Sequence, residues 1–246
     1  MSDTERQQGA LDQLLSILNL EKLEQNLFRG RGPAEGWQRV YGGQVIGQAL
    51  MAAAQTVEGE RIAHSLHGYF LRAGDIEHPI VYDVDRARDG NTFSVRRITA
   101  IQHGQPILTM SASFQVEEPG LDHQAPMPSA PPPESLRDLA EVEAEMIERM
   151  PHKVPGYFRN QRPFEFRAVR PDDFLTNEKR PAAKLVWFRV VGELADDQAL
   201  HRCLLTYVSD YHLLPTAIMP HGVNFRELQM ASIDHAIWFH RNLRVD

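Results

Sequence analysis

The stretch Gly42-Gly-Gln-Val-Ile-Gly-Gln-Ala-Leu-Met-Ala-Ala-Ala-Gln-Thr-Val57 decides how this chain folds. From Gln44 onward it reads as a helix, with Ile46, Ala49, Leu50, Ala53 and Val57 on one face. Its alanines keep the helix thin, as it must be for a sheet to wrap closely around it. The following residues supply that sheet. Between 62 and 116 the apolar period shortens to two. Leu108, Met110, Ala112, Phe114 and Val116 alternate with Thr109, Ser111, Ser113 and Gln115, the pattern of a half-buried strand. Asp89-Gly90 and His103-Gly104 separate β-like runs and predict hairpin turns. The first half is therefore a helix followed by an antiparallel meander of about four strands, an α+β plan.

Outward from this unit, Leu11, Leu14, Leu15 and Leu18 predict a short amphipathic helix near the N-terminus. Prolines 119, 126, 128, 131, 132 and 133 rule out a helix or central strand over 117–134 and mark a semi-rigid linker. An acidic helix is expected from Ser135 to about Met150, with Ser135 and Asp138 in capping-box spacing. Strand-like runs at 164–170 and 185–191 come next. They are followed by a helix carrying Leu200, Cys203, Leu204, Tyr207, Val208 and Tyr211 on one face, and by a strand from Ser232 to His240.

The second half echoes the first. Gln48-Ala49-Leu50 matches Gln198-Ala199-Leu200, and Ile62-Ala63-His64-Ser65-Leu66 matches Ile233-Asp234-His235-Ala236-Ile237, in the same order. Two repeats are expected, 1–116 and 135–246, joined by the linker 117–134. Residues 73–116 supply three further strands in the first repeat, whereas only 242–246 follow the equivalent Arg241 in the second. That imbalance reads as a second repeat truncated at its C-terminus, which would leave an unpaired strand edge. The alternative is a second domain with a smaller plan.

Composition narrows the function. A formal charge of −7 with no lysine- or arginine-rich block excludes an ordinary nucleic-acid surface. The single cysteine, Cys203, allows no internal disulfide, and Met1 to Gln8 carry no apolar signal core. No apolar run approaches membrane-spanning length, so no membrane insertion is expected, and Arg244-Val245-Asp246 is not a peroxisomal address. A cytoplasmic protein is the expectation.

Four stretches carry a family resemblance. They are Val40-Tyr-Gly-Gly-Gln-Val-Ile-Gly-Gln-Ala-Leu50, His64-Ser-Leu-His-Gly-Tyr-Phe-Leu-Arg-Ala-Gly-Asp75, Arg88-Asp-Gly-Asn-Thr-Phe-Ser-Val-Arg-Arg97 and Ser232-Ile-Asp-His-Ala-Ile-Trp-Phe-His-Arg241. Together they resemble the type II acyl-CoA thioesterases over nearly the whole chain. The resemblance implies a double hotdog, in which two helices are each wrapped by an antiparallel sheet, with the second hotdog incomplete here. It implies hydrolysis of fatty acyl-CoA to acid and CoA with no metal or organic cofactor, by a water held by an aspartate, a serine or threonine, and a glutamine. Asp210 matches the aspartate and Ser232 the hydroxyl residue; no residue of this chain matches the glutamine. Ala73 departs from a frequent proline of the family.

The residues carry their own readings. Counted along a helix, Asp210 falls roughly 20° from Cys203, at the edge of the apolar face. Burial there would raise its pKa and basicity. The plainer reading is a helix-flanking carboxylate in solvent. Gly42-Gly43-Gln44 opens a helix, so Gly43 and Gln44 are candidates to meet a thioester carbonyl or a CoA phosphate, or else simply close packing. His64 and His67 stand three apart in a strand and should face opposite ways, which argues against a shared metal. His64 is a candidate substrate contact or a hydrogen-bonded interior residue. Arg86, Arg88, Arg96 and Arg97 either meet phosphates or solubilise a sheet edge. Besides the thioesterase, a catalytically impaired acyl-CoA-binding protein and a hotdog-type enoyl-CoA hydratase stay open. The hydratase wants an aspartate and a histidine on one water, and no such spacing is visible. A homodimer or tetramer is expected.

Overall fold

The computed structural model describes residues 3–32, 39–149, 163–171, 178–223 and 228–246. Helix α1 (Asp3–Leu18) precedes a small hairpin, β1 (Glu21–Glu24) and β2 (Leu27–Gly30). Helix α2 (Gly42–Ala54) then leads into β3 (Ile62–Phe70), β4 (Ile80–Asp89), β5 (Phe93–Gln102) and β6 (Gln105–Gln115). The second half holds α3 (Leu139–Arg149), β7 (Phe164–Ala168), β8 (Val186–Val190), α4 (Gln198–Val208), α5 (Leu213–Ile218) and β9 (Asp234–Trp238). Seven strands form one antiparallel sheet in the order β1-β2-β4-β5-β6-β3-β9, and β7 pairs with β8 in a separate ribbon.

The expected α+β hotdog plan is present. Helix α2 lies against β3 to β6, and its residues from Gly43 to Leu50 are all buried. A helix buried all round must be apolar all round, which explains why so few polar side chains occur in it. Gln48 is one exception, and it is fully satisfied. Its amide nitrogen donates to the carbonyls of Ile17 and Arg31 (2.6 and 2.9 Å), and its oxygen accepts from the Tyr82 hydroxyl (2.7 Å). One side chain thus ties α2 to α1, to the segment after β2 and to β4. Arg96, 1% exposed, does the same at the other helix end. It donates to the Thr56 hydroxyl and carbonyl and to Asp89. A cation at a helix C-terminus is favourably placed, and this arginine is committed to the core rather than free to meet a phosphate.

The alternation read in β6 is observed, with Leu108, Met110, Ala112 and Phe114 buried. The β5–β6 turn places His103 at φ 50° and Gly104 at φ 70°, the paired positive angles of a hairpin matched to strand twist. Between Ala63 and Ser65 the register of β3 against β6 shifts by one residue. This bulge puts His64 on the outer face, where its Nε2 lies 2.7 Å from the Ser113 hydroxyl. His64 and His67 therefore share a face, contrary to simple alternation.

The two echoes meet in space. Strands β3 and β9 pair antiparallel, and Leu66 sits directly opposite its repeat equivalent, Ile237. Helices α2 and α4 pack against each other, with Gly43 against the Tyr207 carbonyl and Gly47 against that of Cys203. One hydrophobic cluster joins both halves, from Leu11 and Leu66 to Phe164, Leu204 and Val245. Residues 117–132 hold no helix or strand but are tethered along the second half, Glu117 to Asn242, Asp122 to Arg241 and the Pro131 carbonyl to Trp187. Asp138, not Ser135, caps the acidic helix, accepting from the Ala140 amide. Ser135 closes a 3-10 turn onto the Pro132 carbonyl, and Met150 lies outside the described residues. No helix among the described residues is long and apolar enough to cross a membrane.

A Cβ at Gly43 would collide with the Tyr207 carbonyl and the Tyr41 ring. Gly43→Ala is expected to destabilise the fold by about 1–3 kcal/mol through overpacking. A denaturant midpoint equal to that of the wild type would show that the two helices can part without cost.

Candidate active site

Asp210 lies just beyond α4 rather than within it. Helix α4 is N-capped by Asp197, whose side chain accepts from the amides of Ala199 and Leu200, and ends at Val208 with Ser209 as its C-cap. The Tyr211 amide then turns back to the Val208 carbonyl (3.1 Å), and this tight turn carries Asp210 off the helical face expected from the sequence. The carboxylate is nonetheless 8% exposed. Around its turn stands an aromatic cluster. Tyr41 meets Tyr207 and Tyr211, each at 5.1 Å between ring centroids, Phe164 stacks on Tyr207, and Phe166 lies 5.2 Å from Tyr211.

Three groups face this carboxylate. The Ser232 hydroxyl donates to Oδ1 at 3.2 Å, so the two residues predicted to act together are adjacent. The Gly43 backbone N–H donates to it from the first turn of α2. His235 Nδ1 lies 3.9 Å from Oδ1. Gly42 completes the fit, since a Cβ there would stand 2.7 Å from Oδ2. Burial pushes the Asp210 pKa above the ordinary carboxylate value. The Ser232 hydroxyl and the Gly43 amide pull the other way without cancelling it.

His235 is the residue that sequence reasoning missed. It is 6% exposed, and burial lowers its pKa, which favours the neutral ring. Its Nε2 lies 2.9 Å from the Ser209 hydroxyl, and that hydroxyl donates to the Thr206 carbonyl (2.8 Å). The serine proton is thereby spent, so Nε2 carries the imidazole hydrogen and Nδ1 presents a lone pair. Nδ1 has no hydrogen-bond partner among the described residues. Two acceptors, Asp210 Oδ1 and His235 Nδ1, thus face each other at 3.9 Å. The sequence did hold a signal, because the repeat echo aligns His235 with His64. Strand register separates them: His235 pairs with buried Gly68 and points inward, whereas the bulge turns its equivalent outward. An aspartate and a histidine do converge here, although no such pair was visible in the sequence.

His64 lies on the outer face near the opposite end of β3 from Phe70, whose amide bonds the Ile233 carbonyl beside Ser232. The structure does not bring it to Asp210. Gln44 is 4% exposed, with its side chain against Gly32, and its amide is engaged by the Tyr41 carbonyl. Gly43 is at the site, with its N–H given to Asp210. A shallow depression of about 430 Å³ is bordered by Ser209, Leu213 and His235. A second cavity, of about 270 Å³, lies at the far ends of α2 and α4 beside Leu50, Val57 and Arg202.

Comparison with known proteins decides the family. Residues 32–115 match a family described as acyl-CoA thioesterase N-terminal domain, and residues 154–246 one described as acyl-CoA thioesterase. Acyl-CoA thioesterase 2 of Haemophilus influenzae is 41% identical over 233 residues, covering 94% of this chain and 82% of that protein. The chain belongs to the acyl-CoA thioesterase II family. Human acyl-coenzyme A thioesterase 8 is 39% identical over 239 residues, covering 94% of this chain and 75% of its own length. Among solved structures, an acyl-CoA thioesterase II from Mycobacterium marinum superposes with a TM-score of 0.73 at 41% identity, over 96% of this chain and 81% of that one. A hot dog fold protein from Alicyclobacillus acidocaldarius, 18% identical, gives a TM-score of 0.73 over 95% of this chain and 79% of that one, and supports the fold alone.

Because the folded pKa of Asp210 is raised, the unfolded chain releases this proton at lower pH than the folded one. Between the two pKa values the folded state binds more protons, so stability falls as pH rises above the ordinary value of 3.8. Asp210→Asn is therefore expected to raise the melting temperature at pH 7, with the gain shrinking towards pH 4. A difference from wild type that is the same at both pH values would show that the carboxylate is not penalised by its surroundings.

Proposed function

We propose that this member of the acyl-CoA thioesterase II family hydrolyses acyl-CoA to free acid and CoA, with Asp210 as the general base. The observation that carries the reading is the convergence of Asp210, Ser232 and His235. Two facing acceptors suit a water that donates one hydrogen to Asp210 Oδ1 and the other to His235 Nδ1. Such a water keeps its own lone pairs free for attack. Ser232, by donating to Oδ1, fixes the carboxylate rotamer.

In the reaction the water oxygen forms a bond to the thioester carbonyl carbon while one proton passes to Asp210. The carbonyl oxygen takes the negative charge, near the positive end of α2. The tetrahedral species then re-forms its carbonyl and breaks the C–S bond. Coenzyme A leaves as a thiolate, a group with a pKa of about 8.5 that needs little acid help, and the proton on Asp210 returns to solvent or to the thiolate. The raised pKa of Asp210 makes it a stronger base than an exposed aspartate.

Residues 1–116 and 135–246 are taken as the two repeats, joined by 117–134, a division supported by the pairing of Leu66 with Ile237. Association into a dimer or tetramer is supported by the outer face of β3–β9, where Tyr69 and Trp238 are 51% and 64% exposed. The Asp210–His235 pair also favours the hydratase as a second reading, because it matches the two groups that hydration of an enoyl-CoA requires.

Release of free thiol from acyl-CoAs separates the readings. Asp210→Asn is expected to lower kcat by about 10²–10⁴-fold with a small change in KM, and Ser232→Ala to lower it less. Thiol release by Asp210→Asn at the wild-type rate would contradict the assignment. Acyl-CoA bound without turnover would indicate a binding protein, and enoyl-CoA consumed without thiol would indicate the hydratase.

A further inference from the structure

A second cluster of chemistry-bearing side chains lies outside the candidate active site. Asp75 and His78 belong to the loop between β3 and β4, and His103 to the β5–β6 hairpin. Asp75 Oδ2 lies 2.8 Å from His78 Nδ1 and 3.0 Å from His103 Nε2. All three donor atoms fall within 4.8 Å of one another. The two rings stand nearly edge to face, 4.5 Å between centroids.

This arrangement is held from behind by a buried side chain. Gln102 is 4% exposed and spends its whole amide on the loop. Its oxygen accepts from the Asp75 amide (2.8 Å), and its nitrogen donates to the carbonyls of Asp75 and His78 (2.9 and 2.8 Å). The next residue in sequence is His103, aimed by the positive φ of the hairpin. Thus Gln102 fixes the backbone under two of the three groups and leads directly into the third. The remaining carboxylate oxygen, Oδ1, accepts from the Glu77 amide (2.9 Å), which orients Oδ2 toward both rings. Outer contacts of this kind orient ligands in metal sites.

We propose that Asp75, His78 and His103 form a binding site for a divalent transition metal of the zinc type, clipping the 71–79 loop to the β5–β6 hairpin. Two imidazole nitrogens and one carboxylate oxygen suit zinc, cobalt, nickel or copper and not magnesium or calcium. Donors around a tetrahedral zinc stand about 3.3 Å apart, given bond lengths of about 2.0–2.1 Å. The present 2.8 and 3.0 Å separations need to open by only a few tenths of an ångström. Both rings are about half exposed, so they can turn, the ion can enter, and water can fill the fourth position. Binding releases whatever protons the three donor atoms carry. The same loop holds the strand-like entry to α2, since the Gly74 carbonyl accepts from the Val40 amide at 2.9 Å. The metal therefore braces the segment that leads to Gly42 and Gly43, without touching Asp210 or Ser232.

The test uses the full chain without a histidine tag, stripped with a chelator. Zinc chloride is titrated by calorimetry and cobalt(II) by its visible absorption. One saturating equivalent is expected, with a tetrahedral cobalt spectrum and a melting temperature that rises with zinc. His103→Asn keeps a residue that tolerates positive φ, and His78→Gln leaves the backbone contacts of Gln102 in place. Each is expected to weaken binding at least tenfold while melting, without metal, near the wild-type temperature. The proposal is overturned by the absence of saturable binding, or by an affinity unchanged in both variants, which would place the ion on other histidines. Neither result bears on the thioesterase reading.

Discussion

The close approach of α2 to the C-terminal end of α4 is the constraint on which the rest depends. Gly43 lies so near the Tyr207 carbonyl that no side chain fits between them, and Gly42 leaves room for the Asp210 carboxylate against the first turn of α2. Any bulk at either position would push the aspartate away from the helix N-terminus. Glycine also costs helix stability, so its use here trades propensity for proximity. The thinness of α2 serves the same end, because a helix of alanines and glycines can be covered by β3–β6 on one side and by α4 on another.

That packing creates an electrostatic conflict. Burial of Asp210 beside the aromatic cluster disfavours charge, while the Gly43 amide, the Ser232 hydroxyl and the positive end of α2 favour it. The outcome is a carboxylate more basic than one in solvent, still held by specific donors. His235 adds a neutral acceptor whose orientation is set by Ser209 and Thr206. A site of this kind is built at the expense of fold stability.

Much of this was legible in the residues, and the reasons are local. The thin helix, the alternation of β6 and both hairpin turns depend on periodicity and turn chemistry, which neighbouring residues determine. The echo between the halves was legible because Gln48-Ala49-Leu50 and Ile62 to Leu66 recur in order, and in space Leu66 pairs with Ile237. What escaped depends on long-range register. A one-residue bulge at His64 decides which of two equivalent histidines meets the aspartate, and nothing within the pentapeptide announces it. The end of α4 was misplaced because Tyr207 and Tyr211 kept helical spacing although the chain had already turned. The role of Arg96 was hidden because an arginine in an exposed-looking charged run is fully buried against Thr56.

The central claim is that a buried, unusually basic Asp210 activates the attacking water. The most direct test is the pH dependence of kcat/KM for hydrolysis of one acyl-CoA by the wild-type chain. An acidic limb whose midpoint lies clearly above the ordinary aspartate range is the predicted result. A rate that stays flat down to that range would contradict it.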